Sequence, residues 1–232
     1  MPTSNPANLT PIGRYLRAYK PRSVLDIGIG FGKWGFLARE LLDVWEGRYR
    51  PDQWQVRIEG IEIYKDYVTP LHEYIYDEIH IGDAREIAPL ITGSFDLVLA
   101  IDVLEHMSRF DVLALIAALT ERHGVLLANV PAGGILTLHD QMHHFENDHE
   151  RHISHWSRRS LHAAGATQVM STTVGHLALF THNSLAPRIR RITLDGSALA
   201  DRAGAVHATW RQQGTAATID LIRDGIARRL YR

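Results

Sequence analysis

Residues 24–40 read VLDIGIGFGKWGFLARE, and this stretch decides the fold. An apolar run, three glycines at alternate positions and a helical pattern follow one another, which is how a strand, a tight turn and a helix are encoded. Gly28, Gly30 and Gly32 allow a sharp turn and bring bare backbone N–H groups close to a ligand. A helix that begins beside such a turn presents a positive dipole end to an anionic or polar group. The stretch therefore predicts a ligand site at the carboxyl end of a buried strand.

The spacing of the glycines separates two kinds of nucleotide site. The dinucleotide-binding fingerprint G-x-G-x-x-G/A would need a small residue at position 33, which is occupied by Lys33. From Asp26 to Gly32 the order is instead D-x-G-x-G-x-G, which resembles the nucleoside-binding loop of class I S-adenosylmethionine (SAM) dependent methyltransferases. A glycine-rich turn without a ligand is the simpler alternative, so the assignment depends on the motifs that follow.

Composition sets the limits of the architecture. With 232 residues, of which 45% are hydrophobic and 22% charged, the chain can form one α/β domain with a short appendage. The net charge of −1 gives no reason to expect a nucleic-acid partner. The lack of cysteine excludes disulfides, thiolate metal sites and a cysteine nucleophile. No leader pattern and no long apolar run is present, so we expect a cytoplasmic protein without a membrane span.

The chain divides into three parts. Residues 1–21 are interpreted as an arm or lid followed by a short helix around Ile12, residues 22–182 as the SAM-binding methyltransferase domain, and residues 183–232 as a basic helical extension. From position 186 onward the extension carries nine arginines and four aspartates, and its last helix has an apolar stripe. We expect this stripe to pack on the body of the protein or to form a homodimer.

Strand and helix patterns alternate five times up to residue 130, and two further strands follow at 167–173 and 176–181. Right-handed crossovers between the alternating strands give a parallel sheet whose ligand crevice lies at the strand carboxyl ends. The predicted fold is therefore α/β, with a doubly wound, Rossmann-like, mostly parallel sheet of seven strands and a C-terminal antiparallel hairpin. The helix predicted at 110–120 is apolar on most faces and should be buried against the sheet.

Two acidic residues follow strands at the predicted ligand edge. Glu62 ends the second strand within IEGIEIY, where a carboxylate can accept hydroxyl protons of a ribose. The resemblance implies that Glu62 binds the SAM ribose, with Glu59 as the alternative, while a solvated carboxylate is the simpler interpretation. Asp83 follows the third strand, and the resemblance implies that it bonds the adenine amino group with Ala84 beside it. Asp83 is also a suitable N-cap for the next helix.

The loop after the fourth strand reads DVLEH, from Asp102 to His106. This string closely resembles the corresponding loop of small-molecule methyltransferases that include ubiquinone and menaquinone pathway enzymes. The resemblance implies that Asp102 lies beside the methionine part of SAM. It also implies that Glu105 and His106 face the methyl-transfer region or brace the loop. With Asp26 and the three glycines, these residues complete the predicted cofactor site.

A histidine-rich connection, residues 132–156, follows the fifth strand and contains six histidines. Its end, E-R-H-x-S-x-W, is similar to the segment that covers the acceptor in the same group of methyltransferases, which implies that Glu150 and Arg151 bind the substrate. A histidine can take a proton from an acceptor near neutral pH, although surface or structural histidines are the simpler alternative. The catalytic candidates are His106, His144 and His152.

No intrinsic metal is predicted. His139 and His143 have the i, i+4 spacing of one helix face, but H-D-Q-M-H lacks the glutamate of the H-E-x-x-H motif and nothing fixes a third ligand. We therefore predict a SAM-dependent methyltransferase that acts on a small molecule, at oxygen rather than nitrogen. The alternatives are a SAM-fold scaffold protein without turnover and a metal-dependent hydrolase that uses the histidines of residues 139–155.

Overall fold

The computed structural model describes residues 3–132, 150–182 and Leu194. The strands are β1 (Ser23–Ile27), β2 (Arg57–Glu62), β3 (Glu78–Ile81), β4 (Leu97–Ile101), β5 (Val125–Pro131), β6 (Gln168–Ser171) and β7 (Gly175–Thr181). The helices are α1 (Leu9–Tyr19), α2 (Lys33–Leu42), α3 (Pro70–Ile75), α4 (Ala84–Ile87), α5 (Arg109–Arg122) and α6 (Arg158–Ala163). The predicted helix of the C-terminal extension lies outside the described residues.

All seven strands belong to one sheet, in the order β3-β2-β1-β4-β5-β7-β6. All pairs among strands β1 to β5 are parallel, whereas β7 runs antiparallel to both β5 and β6. The predicted doubly wound sheet with its antiparallel hairpin is therefore confirmed. Among the described helices, none is long and apolar enough to cross a membrane.

The core consists of two apolar layers, one on each side of the sheet. Successive residues of β1 belong to opposite layers, with Val24 in one and Leu25 in the other, as expected for a strand that is covered on both faces. Helix α5 covers only one of the layers. The prediction that this helix is buried against the sheet is confirmed, because Val112, Leu115, Ile116 and Leu119 lie in that layer. Two of its other apolar side chains stay accessible, since Phe110 is 81% exposed and Leu113 is 46% exposed.

Helix α1 begins three residues before its predicted start at position 12. The side chain of Asn5 accepts a hydrogen bond from the backbone N–H of Ala7 and thereby caps a 3-10 turn, Pro6–Asn8, which leads directly into α1. Helix α1 ends where Lys20 takes a left-handed conformation with φ of 50°. The predicted arm is thus shorter than its composition indicated, and only residues before position 6 precede the helical turns.

A buried ion pair fixes α2 against the sheet. Arg39 and Asp43 are both almost completely buried, and Nη1 of Arg39 lies 2.7 Å from a carboxylate oxygen of Asp43. The same guanidinium donates to the carbonyl groups of Val56 and Ile75, at 2.7 and 2.9 Å. Asp43 also accepts from Arg48 at 2.7 Å. The helix that follows the glycine loop is therefore tied to the start of β2 and to the end of α3.

Replacing Asp43 by Ala should lower the free energy of unfolding by about 3 kcal/mol, because the buried Arg39 then keeps only the half-exposed Asp77, 3.2 Å away, as a charge partner. Urea denaturation monitored by circular dichroism measures this change. The matched control is Asp52→Ala, whose ion pair with Arg50 is 69% exposed at both side chains and should contribute less than about 0.5 kcal/mol. Equal effects of the two substitutions would contradict the role given to the buried pair.

Candidate functional site

A cavity of about 460 Å³ lies at the carboxyl ends of β1, β2 and β4. Its volume is within the range of roughly 300–1,000 Å³ that is typical of small-molecule sites. The chain reverses its strand order between β1 and β4, and doubly wound sheets bind ligands at such a point. The walls include Gly28, Glu62, Asp83, Asp102 and His106. The predicted acidic residues are thus brought together around one cavity.

The glycine loop forms one wall of the cavity through its backbone. Gly28, Gly30 and Gly32 all have positive φ angles, of 71°, 51° and 82°. A Cβ atom at Gly28 would lie 2.7 Å from the side chain of Val103, so the close approach also requires glycine. Gly28 and Gly30 line the cavity, whereas Gly32 faces His72 and precedes the first residue of α2. The role of Gly32 is therefore to shape the turn.

Glu62 is buried in the wall of the cavity, and its carboxylate is fixed by two backbone groups. The N–H of Gly30 donates to Oε2 at 2.9 Å and the N–H of Tyr64 donates to Oε1 at 3.0 Å. Each oxygen retains a second lone pair for a ligand. The alternative, Glu59, does not line the cavity and instead contacts Nε2 of His80 at 2.9 Å. Of the two glutamates, Glu62 is the one that the fold brings to the cavity.

His72 holds the glycine loop from the other side and was missed by the sequence analysis. The backbone N–H of Thr69 donates to Nδ1 of His72 at 3.1 Å, so in the neutral ring the proton is on Nε2. Nε2 then donates to the carbonyl group of Gly30 at 2.9 Å. The T-P-x-H spacing, which places Thr69 at an N-cap and His72 at the third helical position, is the signal that could have identified it.

Asp26 lies beneath the glycine loop rather than in the wall of the cavity. It is completely buried, and the hydroxyl group of Tyr76 donates to its Oδ2 at 2.6 Å. Burial raises the pKa of Asp26 to about 7. Gly35 leaves room for this pair, since a Cβ there would lie 2.3 Å from the Tyr76 hydroxyl oxygen. The sequence assigned Asp26 to cofactor contact, but its position makes it a support of the loop.

Asp83 and Ala84 form the wall beside the start of α4. Asp83 is the N-cap of this helix and accepts from the backbone N–H of Arg85 at 2.8 Å. Its carboxylate also pairs with the guanidinium of Arg85, which reaches Asp111 at 3.1 Å. Ala84 is buried and lines the cavity. The N-cap role predicted for Asp83 is confirmed, and the residue also faces the cavity.

Asp102 has an uncommon backbone conformation, with φ of 57°, directly after β4. Its carboxylate accepts from the backbone N–H of Asn5 at 3.1 Å and from the side-chain amide of Asn129. Burial raises the pKa of Asp102. Lys33 donates to the carbonyl group of Ser4, so the N-terminal segment is attached to the cavity at two points. Residues 3–6 accordingly form part of the wall.

The other end of the cavity is formed by Glu105, His106 and His152. The imidazole rings of His106 and His152 have centroids 4.9 Å apart. Glu105 is completely buried, and neither of its carboxylate oxygens has a hydrogen-bond partner within the described part of the chain. Burial raises the pKa of Glu105 well above its usual range. Two of the three catalytic candidates therefore lie side by side, next to a buried carboxyl group.

Backbone hydrogen bonds join the two sequence motifs that supply these side chains. The N–H groups of Ile153 and Ser154 donate to the carbonyl oxygen of Glu105 at 2.8 and 3.0 Å. The hydroxyl group of Ser154 donates to the carbonyl oxygen of Leu104 at 3.2 Å and accepts from the indole N–H of Trp156 at 2.9 Å. The E-R-H-x-S-x-W segment is thus fixed against the D-V-L-E-H loop.

The two predicted substrate residues differ in their positions. Glu150 lines the cavity and accepts from the hydroxyl group of Tyr67, which the sequence analysis missed, at 2.8 Å. Arg151 does not line the cavity, and its carbonyl oxygen contacts Nδ1 of His106 at 3.1 Å. The structure thus does not bring the Arg151 side chain to the site as the sequence predicted. The remaining candidate, His144, lies outside the described residues, as do His139 and His143, on which the hydrolase alternative depends.

The chain is similar to known proteins both in sequence profile and in fold. The profile of a family described as a methyltransferase domain matches residues 6–167. An O-methyltransferase family protein from Burkholderia thailandensis has a similar structure, with a TM-score of 0.52 and 12% identity over 74% of this chain. This chain spans 55% of the length of that protein. No curated protein matches the sequence.

A second solved structure with the same fold is the N-terminal domain of EvdMO1, which was crystallised in the presence of SAH and D-fucose. The TM-score is 0.50 and the sequence identity is 13%, over 76% of this chain and 82% of that domain. At this level of identity, both structural matches concern the fold.

The buried carboxyl group of Asp26 should make stability depend on pH. Its ordinary pKa is 3.8 and its pKa in the folded protein is about 7, so the folded state binds the proton more tightly. The stabilisation from this group is complete below pH 3.8 and is lost as the pH rises towards 7. We therefore expect the free energy of unfolding of Asp26→Asn, relative to that of wild type, to be higher at pH 8 than at pH 5. Urea denaturation of both proteins at the two pH values measures this difference.

Asp52→Asn is the matched control, because it makes the same acid-to-amide change at a side chain that is 69% exposed. A stability difference between wild type and Asp26→Asn that is constant with pH would refute the raised pKa of Asp26.

Proposed function

Since this chain belongs to the methyltransferase-domain family and is a class I SAM-dependent methyltransferase, we propose that it methylates a hydroxyl group of a small-molecule acceptor. The observation that carries the proposal is the pair of imidazoles, His106 and His152, in the wall of the cavity that also contains the glycine loop. The cofactor resemblance drawn from the D-x-G-x-G-x-G and D-V-L-E-H motifs agrees with this family.

The residues of the cavity fit SAM. Glu62 is positioned by two backbone N–H groups and would accept hydrogen bonds from the ribose hydroxyls. Asp83 and Ala84 would hold the adenine, and Asp102 would lie beside the methionine part. Gly28 and Gly30 present backbone without side chains where the ligand must approach closely. When bound, SAM supplies a methyl group that is already activated on a positively charged sulfur.

The opposite end of the cavity suits a hydroxyl acceptor. A hydroxyl group is a weak nucleophile at neutral pH and must lose its proton when it is methylated, whereas a neutral amine attacks without prior proton loss. His106 and His152 can orient such a hydroxyl and withdraw its proton. Glu150, held by Tyr67, offers a further polar contact. Alignment of acceptor and methyl group is the main task that remains for the protein in an in-line transfer.

Three observations support a small acceptor. The cavity of about 460 Å³ has the size of a metabolite site, and the net charge of −1 offers no general attraction for a polyanion. In addition, the EvdMO1 domain that shares the fold was crystallised with D-fucose, a small hydroxylated molecule. We therefore expect phenols or sugars rather than polymers to be methylated.

Replacing Gly28 by Ala should weaken SAM binding by about tenfold or more. The added Cβ would meet Val103 at 2.7 Å, and φ of 71° costs a non-glycine residue roughly 1–2 kcal/mol. Isothermal titration calorimetry with SAM measures the effect. The control is Gly47→Ala, which has φ of 86° but open space around its Cβ and a position outside the cavity wall. Wild-type affinity in Gly28→Ala would rule out this placement of the cofactor.

The single variants His106→Ala and His152→Ala should lower kcat by about 10²–10⁴-fold while leaving the Kd for SAM unchanged, because both residues act on the acceptor. Transfer of radiolabelled methyl from SAM to a panel of phenols and sugars, together with SAM titrations, separates the two effects. His162→Ala is the control, since His162 contacts the carbonyl group of Ala166 away from the cavity. If kcat stays at the wild-type value in both variants, the two imidazoles do not serve the acceptor.

A further inference from the structure

The buried carboxyl group of Glu105 is the feature that the cofactor and the acceptor leave unexplained. It is completely buried and lines the cavity, and within the described part of the chain neither oxygen has a hydrogen-bond partner. An ionised carboxylate in such a place costs several kcal/mol unless a positive charge compensates it. Leucine or methionine would fill the same volume without this cost. The side chain therefore points to a positively charged or hydrogen-bonding ligand in the cavity.

Two imidazoles complete a set of ligands around this carboxylate. Glu105, His106 and His152 each offer one ligand atom, and these three atoms all lie within 4.8 Å of one another. Ligands of one ion at about 2.0–2.2 Å lie roughly 3.5 Å apart, so small side-chain rotations would close the set. Three protein ligands with an open fourth position are the arrangement of catalytic zinc sites of the His₂Glu type.

The surroundings of His106 match those of a metal ligand. Nδ1 of His106 lies 3.1 Å from the backbone carbonyl oxygen of Arg151. Because a carbonyl oxygen can only accept a hydrogen bond, Nδ1 must be the donor. In the neutral ring the lone pair is then on Nε2. Metal-binding histidines commonly donate their other ring N–H to a backbone carbonyl in this way, which fixes the ring and the tautomer. The backbone of Glu105 is fixed as well, by the N–H groups of Ile153 and Ser154.

We propose that Glu105, His106 and His152 bind a divalent first-row transition-metal ion, with Zn²⁺ as the best match, at the acceptor end of the cavity. Two nitrogen ligands and one carboxylate suit Zn²⁺, whereas Mg²⁺ and Ca²⁺ prefer sets made of oxygen. The ligands come from the loop after β4 and from the E-R-H-x-S-x-W segment, which backbone hydrogen bonds hold together. All three ligand residues line the cavity.

A second acidic and histidine cluster in the described chain provides a contrast. Glu59, Glu78 and His80 also bring their ligand atoms within 4.8 Å of one another. Glu59 is already paired with Arg57 at 3.4 Å, and the Glu78 side chain is 64% exposed. Neither carboxylate needs a cation to compensate its burial. This cluster therefore serves as the matched control for the site at Glu105.

The role of the ion deepens the proposed function and rests on it. A divalent cation held by Glu105, His106 and His152 would lower the pKa of an acceptor hydroxyl bound at its open fourth position, and the proton of that hydroxyl would pass to water. The oxygen then forms the new C–O bond while the methyl–sulfur bond breaks and its electron pair returns to sulfur, which becomes neutral. With the ion bound, His106 and His152 would act on the hydroxyl through the ion and would not take its proton themselves.

Calorimetric titration of the chelator-treated full chain with Zn²⁺ tests the site itself. We expect one ion per chain, and a loss of affinity of about 100-fold or more in Glu105→Gln, which keeps the size of the side chain but not its charge. Glu78→Gln and the double variant His139→Ala/His143→Ala should bind Zn²⁺ as wild type does. Circular dichroism and SAM titration verify that Glu105→Gln is folded. Unchanged Zn²⁺ binding in Glu105→Gln, or its loss only in the double variant, would overturn the inference.

Methyl transfer, measured with the panel of phenols and sugars, separates this inference from the proposed function. Chelation should abolish transfer and Zn²⁺ should restore it, without a change in SAM affinity. If transfer proceeds in chelator-treated protein that binds no Zn²⁺, the metal site is refuted and the proposed function stands. If Zn²⁺ binds through Glu105 but no hydroxylated compound is methylated, the site stands and the acceptor assignment fails.

Discussion

The backbone of Gly30 is held from both sides, and the cavity depends on this clamp. Its N–H donates to Glu62 and its carbonyl accepts from His72, so neither peptide group needs a ligand to be satisfied. Glu62 ends β2 and His72 lies on α3, which means that the elements after β1 fix the loop that β1 begins. The Asp26–Tyr76 pair supports the same loop from below. A preformed turn of bare backbone is therefore available before any ligand binds.

Sheet topology determines the opposite wall. Because β4 and β5 are parallel neighbours, the segments that follow them emerge at the same edge, although Leu104 and Ser154 are 50 residues apart in sequence. The carboxyl group of Glu105 is completely buried there and Asp102 is half-buried, and burial raises the pKa of each. A cation in the cavity would favour their ionised forms and would itself be stabilised by them. The positively charged sulfur of SAM would meet this condition at Asp102, and a divalent metal ion would meet it at Glu105.

Local signals in the sequence were sufficient for the fold and for the position of Glu62. Strand, glycine turn and helix each have a short-range pattern, and a carboxylate at the end of a parallel strand must lie at the ligand edge. Asp26 and Arg151 were predicted to contact the cofactor and the substrate, but neither residue lines the cavity. The direction of a side chain depends on which neighbours fill the space around it, and these are not visible in the local sequence. His72 and Tyr67 were missed for the same reason: their partners are distant in sequence, and only the fold brings them together.

The two candidate sets of metal ligands differ in whether the local sequence can indicate them. The sequence offered His139 and His143, since histidines at i and i+4 share a helix face, and it gave no third ligand. The cluster in the cavity instead takes Glu105 and His106 from one loop and His152 from another, and no spacing rule links them. Its evidence is a carboxylate that is completely buried without a partner in the described chain. Burial is a property of the fold. A site of this kind is therefore recognised from the free-energy cost of its buried carboxylate and not from the spacing of its residues in the sequence.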